Sequence, residues 1–556
     1  MSSSYPVPSR AVPVSAGMIV AVPLELVSSP LRSGRGLGET DRSALVIGGT
    51  GKIGTGDDVV FLKVVAVAEA QVRRDGQVRA KGSPVHHATL GPLEERLDAQ
   101  AGPGVIAGIA RDARLDGRLV KGERERLLAR AFMIRVIVLM TLMPDARAGD
   151  VIAALAGDLA IVPWARPWHP ASARSAGDWR SALGPVPLEE LRDLVLGASW
   201  REHRGEGCPG AVTIGKARPL RAGSLDGTLI RVPDTPGNRA HFGSVGTGDD
   251  SSPFPQARAL PVTCCSCRAM FAMPHGPAGT DKAESEQSLL DEAMDRYPWL
   301  LDPGWIWIMD RNYHGAARIA RMTLSAHVLI RLKSDVPLRR TSEILPDGSY
   351  RAELSGDGVT VPVRVIEYYA DVEGQVVPEM FCLVTDLMDY EDYPGPELAA
   401  LYKWRWDGSE TALREAKAPL RGAGPGTGPM LRSCSPAHVA QELAAWAISA
   451  GLARGVLRDA ALAAAPAGKG RRAGLAVRPR DLSQARAVRA ALAAIRLGRH
   501  CYQAVTSEIA GYRNVVDRGR HRPRKSKSPS SFAHATAEDT VTRIATAVIT
   551  MANTPA

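Results

Sequence analysis

Three acidic residues stand in settings that suit a hard divalent cation. Asp226 lies in an apolar segment of strand character (SLDGTLIRV), and Asp310 follows Trp305–Met309 (WIWIM), the strongest strand signal in the chain. Glu410 lies on a helical stretch that starts near Tyr402 and runs on to Lys417. Two carboxylates at neighbouring strand ends, joined by a third on a later helix, can hold two Mg2+ ions about 4 Å apart. Mg2+ takes oxygen ligands and keeps several waters, so it needs few protein groups and no cysteine. Arg414 and Lys417 fall one helical turn apart, with Lys417 two turns beyond Glu410. An acid flanked by a guanidinium fork and an ammonium point charge suits a site that handles a phosphodiester. Each feature alone has a plainer reading. An aspartate after a strand is more often a turn or cap residue, and such a helix is more often a solvated one laced by i,i+3 and i,i+4 pairs.

The elements that would position these acids follow from the pattern around them. Residues 1–90 are rich in Gly, Ser, Pro and Val without helical periodicity. From 91 to 200 the pattern is helical, including a basic start and apolar face over Lys121–Met143 and the run LEELRDLVL at Leu188–Leu196. Short strand-like runs at Leu225–Val232, Ala257–Cys264 and Trp305–Met309 then alternate with helices at Lys282–Arg296 and Ala316–Leu324, ahead of a strand at Ala326–Leu332. That alternation predicts a mixed α/β sheet over 215–332. Residues 333–395 read as strand and turn, 396–460 as helix, and 475–556 as a helical and basic C-terminal region.

Composition narrows the partners. The 556 residues are too many for one ordinary core. A net charge of +10 and an isoelectric point of 9.3 favour a polyanion, because neutralised phosphates release counterions. The apolar run Phe132–Met143 is interrupted by Arg135 and is shorter than the ~20 residues of a membrane span. The N-terminal segment has no charged region followed by a clean apolar core, so no signal peptide is expected. Seven cysteines over this length do not form a disulfide framework, and a reducing cytoplasm is expected.

Taken together, these blocks resemble the DDE transposases of the cut-and-paste insertion-sequence type (the insertion sequence four family), which carry a Tyr-x2-Arg-x3-Glu-x6-Lys signature. Tyr402-x2-Arg405 matches and Glu410-x6-Lys417 matches, while the Arg405-to-Glu410 gap is four residues rather than three. Glu415 is the alternative third acid, but it breaks the spacing to Lys417. Leu225–Gly243 (LDGTLIRVPDTPGNRAHFG) is similar to the family's first-aspartate block, and Met309–Gly315 (MDRNYHG) to its second. Leu431–Leu443 (LRSCSPAHVAQEL) is similar to the segment after the glutamate helix, and the likeness spans about residues 95 to 530.

The resemblance implies an α/β fold with an RNase H-like catalytic core, Asp226 on its first strand and Asp310 at the end of its fourth. A small helical domain of DNA-binding type (91–200) would precede the core (215–332 and 396–460), and a β-rich insertion (333–395) would interrupt it. It implies Asp226, Asp310 and Glu410 as catalytic, metal-holding residues, with Mg2+ as cofactor and Mn2+ as a substitute. Tyr402, Arg405 and Lys417 would contact transposon-end phosphates, and Tyr368, Tyr369 or Phe381 could stack a flipped base. The partners implied are double-stranded DNA, at transposon ends and target, and a second copy of the chain in the DNA complex. No membrane is involved, and the location implied is cytoplasmic, at the nucleoid. The alternative function is a transposase-derived DNA-binding protein without catalysis.

Four further signals need placing. Gly48-Gly49-Thr50-Gly51-Lys52-Ile53-Gly54 looks like a dinucleotide-binding turn, which would need a following helix, a ribose-binding acid about 20 residues on and a full βαβ unit, and the next residues open no convincing helix; the remotest reading, a nucleotide-dependent oxidoreductase, rests on it alone. Cys264-Cys265-Ser266-Cys267 invites a zinc reading, but no second Cys/His pair has zinc-site spacing, so a buried strand is expected. The tail Arg513–Lys527 is densely basic: either a solvated run or a phosphate contact through Arg522, Arg524 and Lys525. The Trp164–Trp179 stretch could form part of a helix-turn-helix-like reader.

Overall fold

Every residue of Trp305–Met309 is buried, which is what a strand covered on both faces requires, and which explains its unbroken apolar run. The computed structural model around it describes residues 44–49, 64–72, 78–80, 90–112, 130–156, 173–205, 208, 211–245, 252–279, 284–371, 379–420, 429–466, 476–496, 502–512 and 548–552. The chain divides into two units, Met1–Lys81 and Gly82–Ala556. In the first, β1 (Ala44–Gly49), β2 (Val64–Val72) and β3 (Val78–Ala80) form an antiparallel sheet. The glycine run thus begins in a strand whose partner is antiparallel, not in the parallel βαβ unit of a dinucleotide site.

The second unit opens with α1 (Pro92–Ala101), α2 (Val105–Asp112), α3 (Arg130–Leu142), α4 (Ala148–Ala156), α5 (Ala173–Leu183) and α6 (Val186–Gly205). The interruption at Arg135 in α3 is answered from α1, where Glu94 Oε2 accepts from Arg135 Nε at 2.8 Å. Among the described residues no helix is long and apolar enough to cross a membrane. Most of the proposed reader segment at Trp164–Trp179 and all of the basic tail, with Arg522, Arg524 and Lys525, lie outside the described residues.

The sheet follows. In chain order its region contains β4 (Thr213–Ile214), β5 (Leu220–Leu225), β6 (Thr228–Arg231), then α7 (Pro236–Phe242), β7 (Gln256–Ala259), β8 (Val262–Cys264), β9 (Met270–Ala272), β10 (His275–Pro277) and α8 (Glu286–Arg296). It continues through β11 (Trp305–Met309), α9 (Ala316–Met322), β12 (His327–Arg331), β13 (Leu338–Arg340), β14 (Tyr350–Gly356), β15 (Val359–Asp371) and β16 (Glu379–Thr385). The strand order is β13-β14-β15-β16-β12-β11-β5-β8-β9, with β4 beside β5, while β6, β7 and β10 make a small sheet of their own. β5, β11 and β12 run parallel, and the flanking pairs are antiparallel. The class is α/β, as expected. The strands at 333–395 extend this same sheet through the β12–β16 pairing.

Two differences from the sequence expectation bear on the site. Asp226 lies in the two-residue break between β5 and β6, not inside one continuous strand. The cysteine run leaves its strand at Cys264 and turns back: Arg268 takes a left-handed φ of 64° and Cys264 N bonds Ala269 O at 2.9 Å.

After the sheet come α10 (Gly395–Tyr402), a π-helical turn at Trp406–Thr411, α11 (Ala412–Lys417), α12 (Pro436–Ala463), α13 (Gln484–Arg496), α14 (Tyr502–Ala510) and, beside β15, β17 (Val548–Met551). α12 is buried around most of its circumference and shares one apolar core with α1–α6, α13 and α14. The helices before and after the sheet are therefore one packed body on α12. Trp446 of α12 donates to Ala416 O at 2.7 Å, which fastens α11 to that body.

Candidate active site

Parallel pairing sets the two aspartates side by side. β11 and β5 are in register from Trp305↔Arg221 to Ile308↔Ser224, and continuing that register places Asp310 next to Asp226. Close packing behind them depends on Gly223, where a Cβ would lie 2.2 Å from the Trp307 ring. Asp310 caps the short turn after β11, accepting from Asn312 N at 2.8 Å. Burial raises the Asp226 carboxyl above its ordinary value; Arg405, Ser409 and Lys417 pull it back, and the neighbouring Asp310 adds to the rise.

Arg405 bridges the acids. Its Nη1 lies 3.1 Å from Asp226 Oδ2 and its Nη2 3.8 Å from Glu410 Oε1. Ser409 Oγ donates to the same Asp226 oxygen at 2.8 Å. Residues five apart on an α-helix face about 140° away from each other. The π-helical turn at Trp406–Thr411 widens the path between Arg405 and Glu410, so both side chains reach one face.

Asp226 and Glu410 then wall a solvent-open cleft of about 470 Å3 with Thr228, Arg414 and Lys417. Lys417 reaches across to the Thr228 hydroxyl, and burial holds its ammonium below the ordinary lysine value, against the opposing pull of Asp226. Arg414 is exposed at the rim. Asp310 stands beside Asp226 but outside this lining. Among the described residues, the three carboxylates are not gathered within 4.8 Å of one another; a guanidinium lies between two of them instead.

Glu415 faces elsewhere. It accepts from Arg268 Nη1 at 2.9 Å and from Arg454, which is 4% exposed. Tyr402 is buried, its ring edge-on to Phe381 at 6.3 Å and beneath Arg405 at 5.9 Å, and burial pushes its hydroxyl up to about 12. Of the aromatic candidates, Tyr368 is buried and stacked on Phe381 at 5.1 Å, while Tyr369 is exposed.

A fourth acid was missed from sequence. Glu286, first residue of α8, packs against Gly227, where a Cβ would meet its carboxyl carbon at 2.2 Å. It accepts from Arg258 Nη1 at 3.2 Å and from the Tyr313 hydroxyl at 3.4 Å. Burial raises its carboxyl; Arg258 opposes this, and Asp310 and Asp226 add to it. Nothing in ESEQSLL separates this glutamate from Glu284, two positions earlier. Together the carboxylates make an oxygen-only donor set, which fits a hard divalent cation.

No family model and no curated protein matches the chain. Among solved structures, it is similar to a piggyBac transposase synaptic complex with hairpin DNA, determined by cryo-EM. That likeness has a TM-score of 0.38 at 11% identity, over 76% of this chain and 85% of the other. It is too distant to assign a fold or a function.

Proposed function

We propose that this chain is a DNA transposase that cuts phosphodiesters at transposon ends and joins the freed 3′-hydroxyl to target DNA. The observation that carries this reading is the pairing of Asp226 and Asp310 at adjacent parallel strand ends, with Asp226 sharing a cation-lined cleft with Glu410. The order β9-β8-β5-β11-β12, antiparallel in its first two pairs and parallel in its last two, supports an RNase H-like core with Asp310 closing the fourth strand.

Asp226, Asp310 and Glu410 would hold Mg2+ or Mn2+, which supplies Lewis acidity at phosphorus and a more acidic attacking water. Lys417 and Arg414 bind backbone phosphate beside the acids. Ser409 fixes the Asp226 carboxylate, and Arg405 orients Asp226 and Glu410 until a stronger cation competes for them. Buried Tyr402 acts through Arg405 as a positioning residue, not as a phosphate contact. In each step one P–O bond forms as one breaks, so no nucleotide cofactor is required.

The test is cleavage of a plasmid carrying the DNA that flanks this gene, with Mg2+ or Mn2+. Cleavage by the unmutated protein, lost in Asp226→Ala, Asp310→Ala and Glu410→Ala, supports the proposal. Metal-independent cleavage, or cleavage that survives Asp226→Ala, contradicts it. Specific binding without cleavage would instead favour the DNA-binding reading, in which the Arg405–Asp226 pair is permanent.

A further inference from the structure

We propose that His203, Cys208, Cys264 and Cys267 form a structural zinc site. One ligand atom from each lies within 4.8 Å of all the others. A tetrahedral ion with Zn–S bonds of about 2.3 Å holds its sulfurs about 3.8 Å apart, so the cluster needs only small shifts to close. The sequence expectation that Cys264 and Cys267 have no second pair is corrected by the structure: His203-x4-Cys208 supplies one, and the long stretch of chain between the two pairs hides their meeting.

The imidazole is oriented for the role. His203 Nδ1 lies 2.6 Å from Ser199 O, a backbone acceptor that places the proton on Nδ1, while Nε2 lies 3.0 Å from Cys267 Sγ. Anchoring one ring nitrogen on a carbonyl is the usual support for a metal-binding histidine. On the hairpin, the left-handed turn at Arg268 aims the Ala269 N–H at Cys267 Sγ, 3.4 Å away, which fixes the position of the sulfur. His203, Cys264 and Cys267 are at most 2% exposed, and Phe271 lies edge-on to the imidazole at 4.9 Å. None of the three cysteines is in a disulfide. Four protein donors leave no open position, so the site is structural and not catalytic.

Its position explains what it would hold. His203 sits near the end of α6 and Cys208 just after it, while Cys264 pairs with Gly223, three residues before Asp226. Thr263, beside Cys264, donates to Gly408 O at 2.7 Å in the π-helical turn that carries Glu410. Zinc here ties the helical body to the strand and turn that present two of the acids. This inference rests on the cluster's geometry and stands apart from the transposase proposal.

Full-length protein, purified without chelators, should contain about one zinc per chain by elemental analysis. Cys267→Ser and His203→Asn should lose it, while Cys434→Ser and Asp226→Asn keep it. Because the first two variants could fail to fold, the unmutated protein supplies an independent readout. Cobalt exchanged into it should show thiolate-to-cobalt charge-transfer bands with intense tetrahedral bands, and a strong zinc chelator should lower its Tm. Substoichiometric zinc with no thiolate bands on cobalt addition to reduced protein would overturn the site, as would full zinc content in a folded Cys267→Ser variant.

Discussion

Glu410 and Glu415 lie five residues apart on the same helical stretch, and the structure gives them opposite surroundings. Glu415 is the counter-charge of Arg268 and Arg454, which are 11% and 4% exposed. Burial already holds the Arg454 guanidinium below its ordinary value, against the pull of Glu415. Glu415→Gln would remove the anion that faces buried Arg454 and half-buried Arg268, and removing one member of a buried pair costs about 3–5 kcal/mol. Glu410 is 44% exposed, and its contact with Arg405 is long, at 3.8 Å. Glu410→Gln should therefore change stability by no more than about 0.5 kcal/mol. In a unit the size of Gly82–Ala556, 1 kcal/mol moves Tm by roughly 1 °C if the unit melts together. Calorimetry should place Glu415→Gln about 3–5 °C below the unmutated protein and Glu410→Gln within about 1 °C of it. Metal-dependent DNA cleavage should show the reverse order, absent in Glu410→Gln and present in Glu415→Gln below its melting range. A Glu415→Gln protein that melts normally but does not cleave would move the third acid to Glu415 and refute the assignment.

Other outcomes follow from the same geometry. Gly223→Ala drives a methyl into the Trp307 ring, and overpacking of this kind costs about 1–3 kcal/mol; an unchanged Tm would show that the ring does not pack there. Arg405→Gln removes the cation between Asp226 and Glu410, so added Mg2+ should raise the variant's Tm by more than that of the unmutated protein. Equal shifts would mean that Arg405 does not compete for the acids. Burial pushes the Cys382 thiol up to about 12, while Cys434 is exposed. Alkylation of native protein near neutral pH, followed by peptide mapping, should therefore mark Cys434 well before half-buried Cys382, and the opposite order would contradict this difference in exposure.

How much of this was legible depended on whether the signal was local. WIWIM announced a central strand because burial on both faces demands an unbroken apolar run, and it led straight to Asp310. The strand that leads to Asp226, LRAGSL, was hidden because Trp307 needs the space above Gly223 and the chain carries Arg221 and Ser224 beside it. The π-helical turn that brings Arg405 and Glu410 to one face is invisible to residue counting. Tyr402 was picked out by its spacing to Arg405, and spacing does not reveal burial. Glu286 and the His203–Cys208–Cys264–Cys267 cluster escaped for a shared reason: each is assembled by tertiary contacts between segments distant in sequence. The strands after Arg331 were recognisable as strands, but only their pairing showed that they continue the central sheet.

With Arg405 displaced, Asp226, Asp310 and Glu410 should bind a divalent cation. Anomalous diffraction from crystals of the full chain soaked in Mn2+ addresses it directly. A manganese peak on the Asp226 carboxylate, shared with Asp310 or Glu410 and accompanied by withdrawal of the Arg405 guanidinium, is the predicted result. Crystals with manganese bound only elsewhere, and with Arg405 still paired to Asp226, would contradict it.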